Sequence, residues 1–476
     1  MKTYENRNEQ FELELCSKDK PVAEGLNQSV ESDGKKVDRK FIDMLFSETC
    51  CKNTLDYIIA PSNLRNAFEK VASKKGAAGV DDMKAEELMK WFDENHEWLT
   101  QKLADGTYEP MPVRRVQIPK DNGTKRNLGI PTVIDRGVQM AIANILNEVY
   151  EPRFSDNSFG FRPNRSVHDA LKRCLENANS GLLWVVDMDL EKYFDTVPQA
   201  RLLQLVSETI KDGRVISLLN KFLKAGVMIN GVCFGVEAGV PQGGNLSPVL
   251  ANIMLDVCDK ELERRGLKFV RYADDMMIFA KTKRSALRIM ESITRFIEDK
   301  LHLKVNREKT VVRHITQDVK FLGHGFYTQT KGAIGLTIHR KSVEKMKNAL
   351  RELLKRKNPM SGETIIKLLN YKVNGWVRFF RYADAKGTLQ RLDEWTRHKI
   401  RCLILKRNWR PRSRYKLFRN HCKLSHERAL PLANARQGFW AVSCFHEVQK
   451  AMNNKWLNKI GFTFMFDVYL AVHTTF

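Results

Sequence analysis

Two adjacent aspartates, Asp274 and Asp275, stand between strand-like runs, LKFVRY before them and MMIFAK after. Carboxylates held this close repel unless water or a cation neutralises them, so such a hairpin tip is either an exposed acidic turn or a cation site. The tetrapeptide RYAD returns at 381–384, and context separates the two copies. Around the second, Ile365, Leu368, Leu369, Val373, Trp376 and Phe380 recur at helical spacing, so that copy ends a helix. Gly387 lies close enough to cap it. Asp384, with no second acid beside it, reads as a solvated helix-end carboxylate.

A third acid gives the first pair a purpose. VVDMDLEKYFDTV places Asp187 and Asp189 at the end of another apolar strand, with Asp195 about one helical turn further on. Alternation points Asp187 and Asp189 the same way, so spacing does not choose between them. A strand-end acid beside a hairpin-tip pair suits two Mg²⁺ ions ~3.5–4 Å apart, the arrangement that holds both oxygens of an in-line phosphoryl transfer. Mg²⁺ takes few carboxylates and completes its shell with phosphate oxygens and water.

The remainder of the chain is consistent with a polyanionic substrate. Its 476 residues exceed one ordinary core, and two or three domains are expected. The formal charge of +24 points to nucleic acid. No apolar run reaches the ~18 residues of a membrane span, and MKTYENRNEQ lacks the apolar stretch of a signal peptide. Nine cysteines without a CxxC pair suggest reduced thiols in a cytosolic protein. PSNLRNAFEKVASKKG predicts a helix capped by Ser62, with Leu64, Phe68 and Val71 on one face and Gly76 as its stop. VRRVQIPKDNGTKRNLGI predicts a hairpin whose arms carry Arg114, Arg115, Lys120, Lys125 and Arg126, and Asn230–Gly231 predicts a second turn. Beyond about residue 336 strand signals give way to three helical stretches with basic faces.

With these pieces in place the chain resembles reverse transcriptases, and more narrowly bacterial group II intron reverse transcriptase/maturases. RYADD, DLEKYFD and GVPQGGNLSP carry the likeness, supported upstream by RNLGIPTVIDRGVQ and SFGFRPNRSVHDA. LHLKVNREKT, KFLGHGF and NGWVRFFRYA extend it downstream, in the family's order. The resemblance implies an α+β fold: a right-hand polymerase with reverse-transcriptase fingers and palm over 61–335, then an α-helical thumb (maturase domain X) over 336–412. A small basic DNA- and RNA-binding segment over 413–476 follows, and a polar, partly mobile extension over 1–60 precedes. The Cys-rich endonuclease domain of many relatives is expected to be missing.

The resemblance also implies roles. Asp189 rather than Asp187 is the first metal ligand, because it begins the D-x-x-x-x-F-D pattern; Asp274, Asp275 and the carbonyl of Leu190 complete the set for two Mg²⁺, with Mn²⁺ as a substitute. Phe194 would clash with a sugar 2′-hydroxyl and so favour dNTPs, and Gln242 would lie beside the incoming nucleotide. Gly243 and Gly244 would let backbone approach the template–primer. Lys120 and Arg126 would grip the triphosphate, Lys309 would assist the pyrophosphate, and the turn around Gly323 would hold the primer end.

The run 401–425 holds nine Lys or Arg and no acid, with Trp409, Tyr415 and Phe418 interleaved. Phosphate contact with stacking on unpaired bases suits this composition, and Arg410, Arg412, Arg414 and Lys416 are its candidate contacts. His421, Cys422, His426, Cys444 and His446 lack zinc spacing. The expected partners are group II intron RNA, an RNA template with a DNA primer, dNTPs and target DNA, without a membrane, in a bacterial cytoplasm. The alternatives are another bacterial reverse transcriptase of retron or diversity-generating type, against which PQGGNLSP argues, and an RNA-binding maturase with a vestigial polymerase, against which the intact acids argue.

Overall fold

The computed structural model describes residues 52–119 and 125–474. Residues 1–51 of the N-terminal extension and the tip of the first hairpin lie outside the described residues. The end of the extension is not a polar tail, since Thr54–Ile58 is a short helix that buries Leu55 and Ile58 in the core of the first unit. The chain forms two compact units that divide between Ile315 and Thr316.

The first long helix of the first unit is α1 (Pro61–Ser73), which buries Leu64, Phe68 and Val71 as its spacing predicts. Its cap is Ala60, not Ser62, with Pro61 at the first helical position, where the fixed φ suits the helix and no N–H is lost from its ladder. It ends at Lys74, and Lys75 (φ 47°) turns the chain before Gly76 is reached. Helix α2 (Val133–Tyr150) packs against α1 at Gly137, where a Cβ would come within 2.5 Å of the Phe68 ring. Between these helices, β1 (Val113–Pro119) and β2 (Lys125–Ile130) form the expected antiparallel hairpin.

Helix α3 (Val167–Asn179), with a Ser166–Asp169 capping box, leads into β3 (Trp184–Met188). Helices α4 (Gln199–Thr209) and α5 (Gly213–Lys224) follow. Strands β4 (Val227–Ile229) and β5 (Val232–Phe234) are joined by Asn230 and Gly231, both at positive φ, as an Asn-Gly hairpin turn requires. β4 also pairs in parallel with β1. Helix α6 (Ser247–Arg264) precedes the hairpin β6 (Lys268–Tyr272) and β7 (Asp275–Ala280), and α7 (Lys283–Leu301) leads to β8 (Val311–His314). The central sheet runs β6-β7-β3-β8, antiparallel throughout. From Met276 to Ala280 every β7 side chain is buried, which is why the sequence there reads as a continuous apolar run.

In the second unit, β9 (His324–Thr328) and β10 (Ile334–Ile338) form a hairpin. Helices α8 (Arg340–Leu353), α9 (Gly362–Phe379) and α10 (Lys386–Arg407) are the three predicted from helical spacing. The compositional shift near residue 336 falls inside β10, whereas the compact units part earlier, because the hairpin is bonded to the helical unit. The Asp384 amide donates to the Leu336 carbonyl at 2.8 Å, and the Tyr327 hydroxyl donates to the Asp384 carboxylate at 2.9 Å. Asp384 is thus a structural tether and not merely a solvated helix end. Gly387 caps nothing; it lies in the first turn of α10.

Shorter helices follow, among them α11 (Pro411–Lys416), α12 (His446–Ala451), α13 (Asn454–Lys459) and α14 (Met465–Val472). Leu417, Phe418, Leu432, Val442, Val448 and Met452 pack with Leu405 of α10 into a small core. No helix among the described residues is long and apolar enough to cross a membrane.

Candidate functional site

Asp189, Asp274 and Asp275 lie at one end of the central sheet. β3 and β7 pair up to Met188↔Met276. One step further in that register, Asp189 stands opposite Asp275. β6 and β7 close at Tyr272↔Asp275, so Ala273 and Asp274 form the two-residue turn, with Ala273 at φ 57°.

The structure separates Asp187 from Asp189 where alternation does not. Asp187 lies within β3, flanked by β7 and β8. Burial, followed by the charge of Asp189, pushes its carboxyl up to about 6 against the opposing pull of Arg313. Asp189 lies past the strand end and is pinned by its backbone. Its amide donates to Thr310 Oγ1 at 3.2 Å, and its carbonyl accepts from Asn306 at 2.9 Å. Its carboxylate faces Lys309, whose Nζ is 3.2 Å away. Leu190 bridges to Val305, and the flanking bonds use the Asp189 carbonyl and the Glu191 amide, so this pairing does not consume the Leu190 carbonyl. Among the described residues no three acids close into a ready metal cage. The donor set nevertheless fits Mg²⁺, which keeps water and takes phosphate oxygens besides one or two carboxylates.

Beneath the turn lies a buried network that motif spacing did not reveal. Arg271 has no exposed surface and forms a two-pronged ion pair with Asp259 of α6, at 2.8 and 3.0 Å from its Nε. Its Nη1 donates to Asn252 Oδ1 at 2.9 Å and to the Ala273 carbonyl at 3.1 Å. Asn252 in turn donates to the Gly160 carbonyl at 2.9 Å. The segment SFGF runs along β6, with the Arg271 amide bonded to Asn157 and the Phe159 amide to the Arg271 carbonyl. A Cβ on Gly160 would stand 2.2 Å from the Ala273 amide nitrogen. The glycine is therefore required by the close approach of the acidic turn. Arg271 and Gly160 were each legible as motif letters, but no local signal tied them to the turn.

Phe194 occupies a single helical turn, Tyr193–Thr196, half-buried and edge-on to Tyr193 with ring centroids 5.3 Å apart. Its carbonyl accepts from Val240 at 2.7 Å, and the Gln242 carbonyl accepts from Gly129 of β2 at 2.8 Å. The VPQGG segment therefore links the first hairpin to the Phe194 turn. Gly243 (φ 118°) and Gly244 are required by packing within the chain itself: a Cβ on Gly243 would meet the Gly129 carbonyl at 2.5 Å, and one on Gly244 the Gln139 side chain at 2.5 Å. Lys120 and the side chain of Arg126 lie outside the described residues.

In the second unit, Gly323 takes φ 82°, and its carbonyl accepts from His339 and from the Ser342 hydroxyl. In the basic run, Arg410, Arg412 and Lys416 are exposed, as is Trp409 at 52%. Two residues of that run correct the expectation. Arg414 is buried, donating to the Ala435 carbonyl at 3.0 Å and lying over the Phe439 ring, and Phe418 is fully buried in the small core. Neither reaches a ligand as placed. Composition showed an acid-free run, but not which cations its own fold consumes.

Residues 118–326 match the family described as Reverse transcriptase (RNA-dependent DNA polymerase), and residues 343–422 match the Group II intron, maturase-specific domain. "Group II intron-encoded protein LtrA" of Lactococcus lactis subsp. cremoris is 34% identical over 345 residues, which is 58% of this chain and 57% of that protein. "Protein YkfC" of Escherichia coli (strain K12) is 36% identical over 310 residues, which is 57% of this chain and 81% of that protein. The match thus spans little more than half the length of LtrA.

Proposed function

Because this chain belongs to the group II intron-encoded reverse transcriptases and carries their maturase-specific domain, we propose that it copies RNA into DNA where Asp189, Asp274 and Asp275 meet. The observation that carries the reading is the register of β3 and β7, which sets Asp189 opposite Asp275 beside the Asp274 turn. Asp189, Asp274, Asp275 and the Leu190 carbonyl would hold two Mg²⁺ ions, or Mn²⁺ in their stead, whose chemistry when bound is to neutralise charge on the reacting phosphate.

The side chains then divide the work. Phe194 presses on the sugar 2′ position and excludes ribonucleotides. Gln242 sits beside the incoming dNTP, while Lys120 and Arg126 bind its triphosphate from the β1–β2 hairpin. Lys309, which faces Asp189, would assist the departing pyrophosphate. The turn around Gly323 holds the primer end. In this assignment fingers and palm occupy 61–335, the thumb 336–412 and the basic segment 413–476.

The second activity is binding. Arg410, Arg412 and Lys416, exposed beside Trp409, contact the group II intron RNA and target DNA, so that the RNA folds and performs its own splicing, in a bacterial cytoplasm. Primer extension on an RNA template tests the polymerase. Asp274→Ala should lower synthesis by several orders of magnitude while RNA binding persists, and Asp384→Ala should leave synthesis nearly unchanged. Normal extension by the Asp274 variant in Mg²⁺ would remove the assignment.

A further inference from the structure

Away from the acidic turn, the second unit contains a cleft of about 570 Å³ lined by one stripe of α10 and by residues near α12 and α13. Glu394, Arg397, His398 and Arg401 recur on α10 at helical spacing, and Asn454 and Lys455 face them. Arg401 is only 4% exposed. Its Nε donates to the Met452 carbonyl at 2.9 Å, which anchors the guanidinium. No carboxylate forms an ion pair with Arg401 or Arg397 among the described residues, and Glu394 pairs with neither. A buried charge without a counter-charge is costly, and here a second guanidinium lies close enough to aggravate it: burial and then Arg397 both push the pKa of Arg401 down.

We infer that this cleft is a binding site for a nucleic-acid phosphate group, seated against Arg397 and Arg401. The donor geometry suits an anion. Arg397 Nη1 donates to Asn454 Oδ1 at 3.1 Å, which leaves the Asn454 amino group to donate elsewhere. Lys455 adds a third positive charge. The surroundings favour a nucleotide over a small anion: Trp440 is 44% exposed, its ring 5.6 Å from the His398 ring, with Lys399 Nζ 5.0 Å from the indole centroid. An exposed indole beside a phosphate seat is the pairing used to hold unpaired bases. That the phosphate belongs to RNA rests on the proposed function; that the cleft takes a phosphate does not.

The test uses the full chain and two variants that spare the Arg401 anchor, Arg397→Gln and Arg397→Gln/Lys455→Gln, with Arg401→Lys as a third that keeps charge but loses the fork. Inorganic phosphate, at ionic strength matched with chloride, should raise the melting temperature of the wild type and not that of the double variant. A short oligoribonucleotide should bind the double variant about tenfold more weakly. If the loss appears only when the oligonucleotide carries a 5′-phosphate, the site takes a strand end; if it appears equally with a 5′-hydroxyl, the site takes an internal phosphodiester. Equal phosphate stabilisation and equal oligonucleotide affinity in folded variants and wild type would overturn the proposal. Should RNA binding fall in an Arg410/Arg412/Lys416 variant but not in the cleft variants, the cleft is refuted and the RNA-binding reading stands.

Discussion

Lys309 and Asp189, separated by 120 residues, meet at 3.2 Å, with the ammonium 67% exposed and the carboxylate 34%. If Asp189 holds a divalent cation as proposed, the ammonium and the cation would compete for the same carboxylate. An exposed pair of this kind is worth ~0.2–1 kcal/mol. Lys309→Met should therefore lower the Mg²⁺ concentration for half-maximal synthesis by up to about fivefold. A magnesium titration of primer extension reads this directly, and an unchanged midpoint would show that the two cations do not share the site.

Gly160→Ala should impair synthesis, because Gly160 is buried directly against the acidic turn. The added methyl would overlap the Ala273 backbone, which cannot rotate away as a side chain can. Overpacking of this kind costs ~1–3 kcal/mol, and here relief requires moving the acidic turn. Gly213→Ala, with no neighbour within 4 Å, is the matched control and should be neutral. The comparison is turnover beside thermal melting.

Asp259→Asn should destabilise the first unit by ~3–5 kcal/mol, because Arg271 then keeps its buried charge without a carboxylate. Asn252→Ala removes one acceptor from Arg271 and one donor to Gly160, at ~1–3 kcal/mol. It should leave the chain folded while turnover falls, since the turn loses part of its clamp. Denaturant melts and extension rates on the same preparations separate the two effects.

Phe194→Ala should shift incorporation toward ribonucleotides by ~10–100-fold, since the proposed barrier is steric and not a hydrogen bond. Single-nucleotide incorporation of dNTP against rNTP measures it. Unchanged discrimination in a folded variant would make Phe194 a packing residue of the Tyr193 turn.

Arg410, Arg412 and Lys416 should behave as one class and Arg414 as another. Each lost phosphate contact in the first class lowers the salt slope of RNA binding by ~0.7–0.9. Arg414→Ala should leave the slope alone and lower thermal stability by ~1–3 kcal/mol, through its lost bond to Ala435 and its packing on Phe439. A salt titration of intron RNA affinity with melting curves distinguishes them.

What the sequence determined by itself was local. The acidic turn between β6 and β7, the Asn230–Gly231 turn and the three long helices from 340 onward are each set by residues within a few positions of one another. Hydrophobic period and turn chemistry therefore identify them. Even so, Ser62 and Gly387 do not act as the caps their residue types suggest, because a proline at the first helical position and a following helix outweigh the nominal signals.

Tertiary structure decided the rest, and the reason is the same in each case: the partner is distant in sequence. Asp189 is distinguished from Asp187 by lying just past the β3–β7 pairing that encloses Asp187, and by Asn306, Lys309 and Thr310 arriving from beyond α7, none of which spacing along one strand can register. Gly160 and Gly243 owe their small size to backbone approaching from Ala273 and Gly129. Arg414 and Phe418 sit in an acid-free, aromatic-rich run that composition assigns to a ligand, yet the small core of the second unit claims both. Charge and pattern say what a surface can attract; which groups remain at that surface depends on what the fold has already buried.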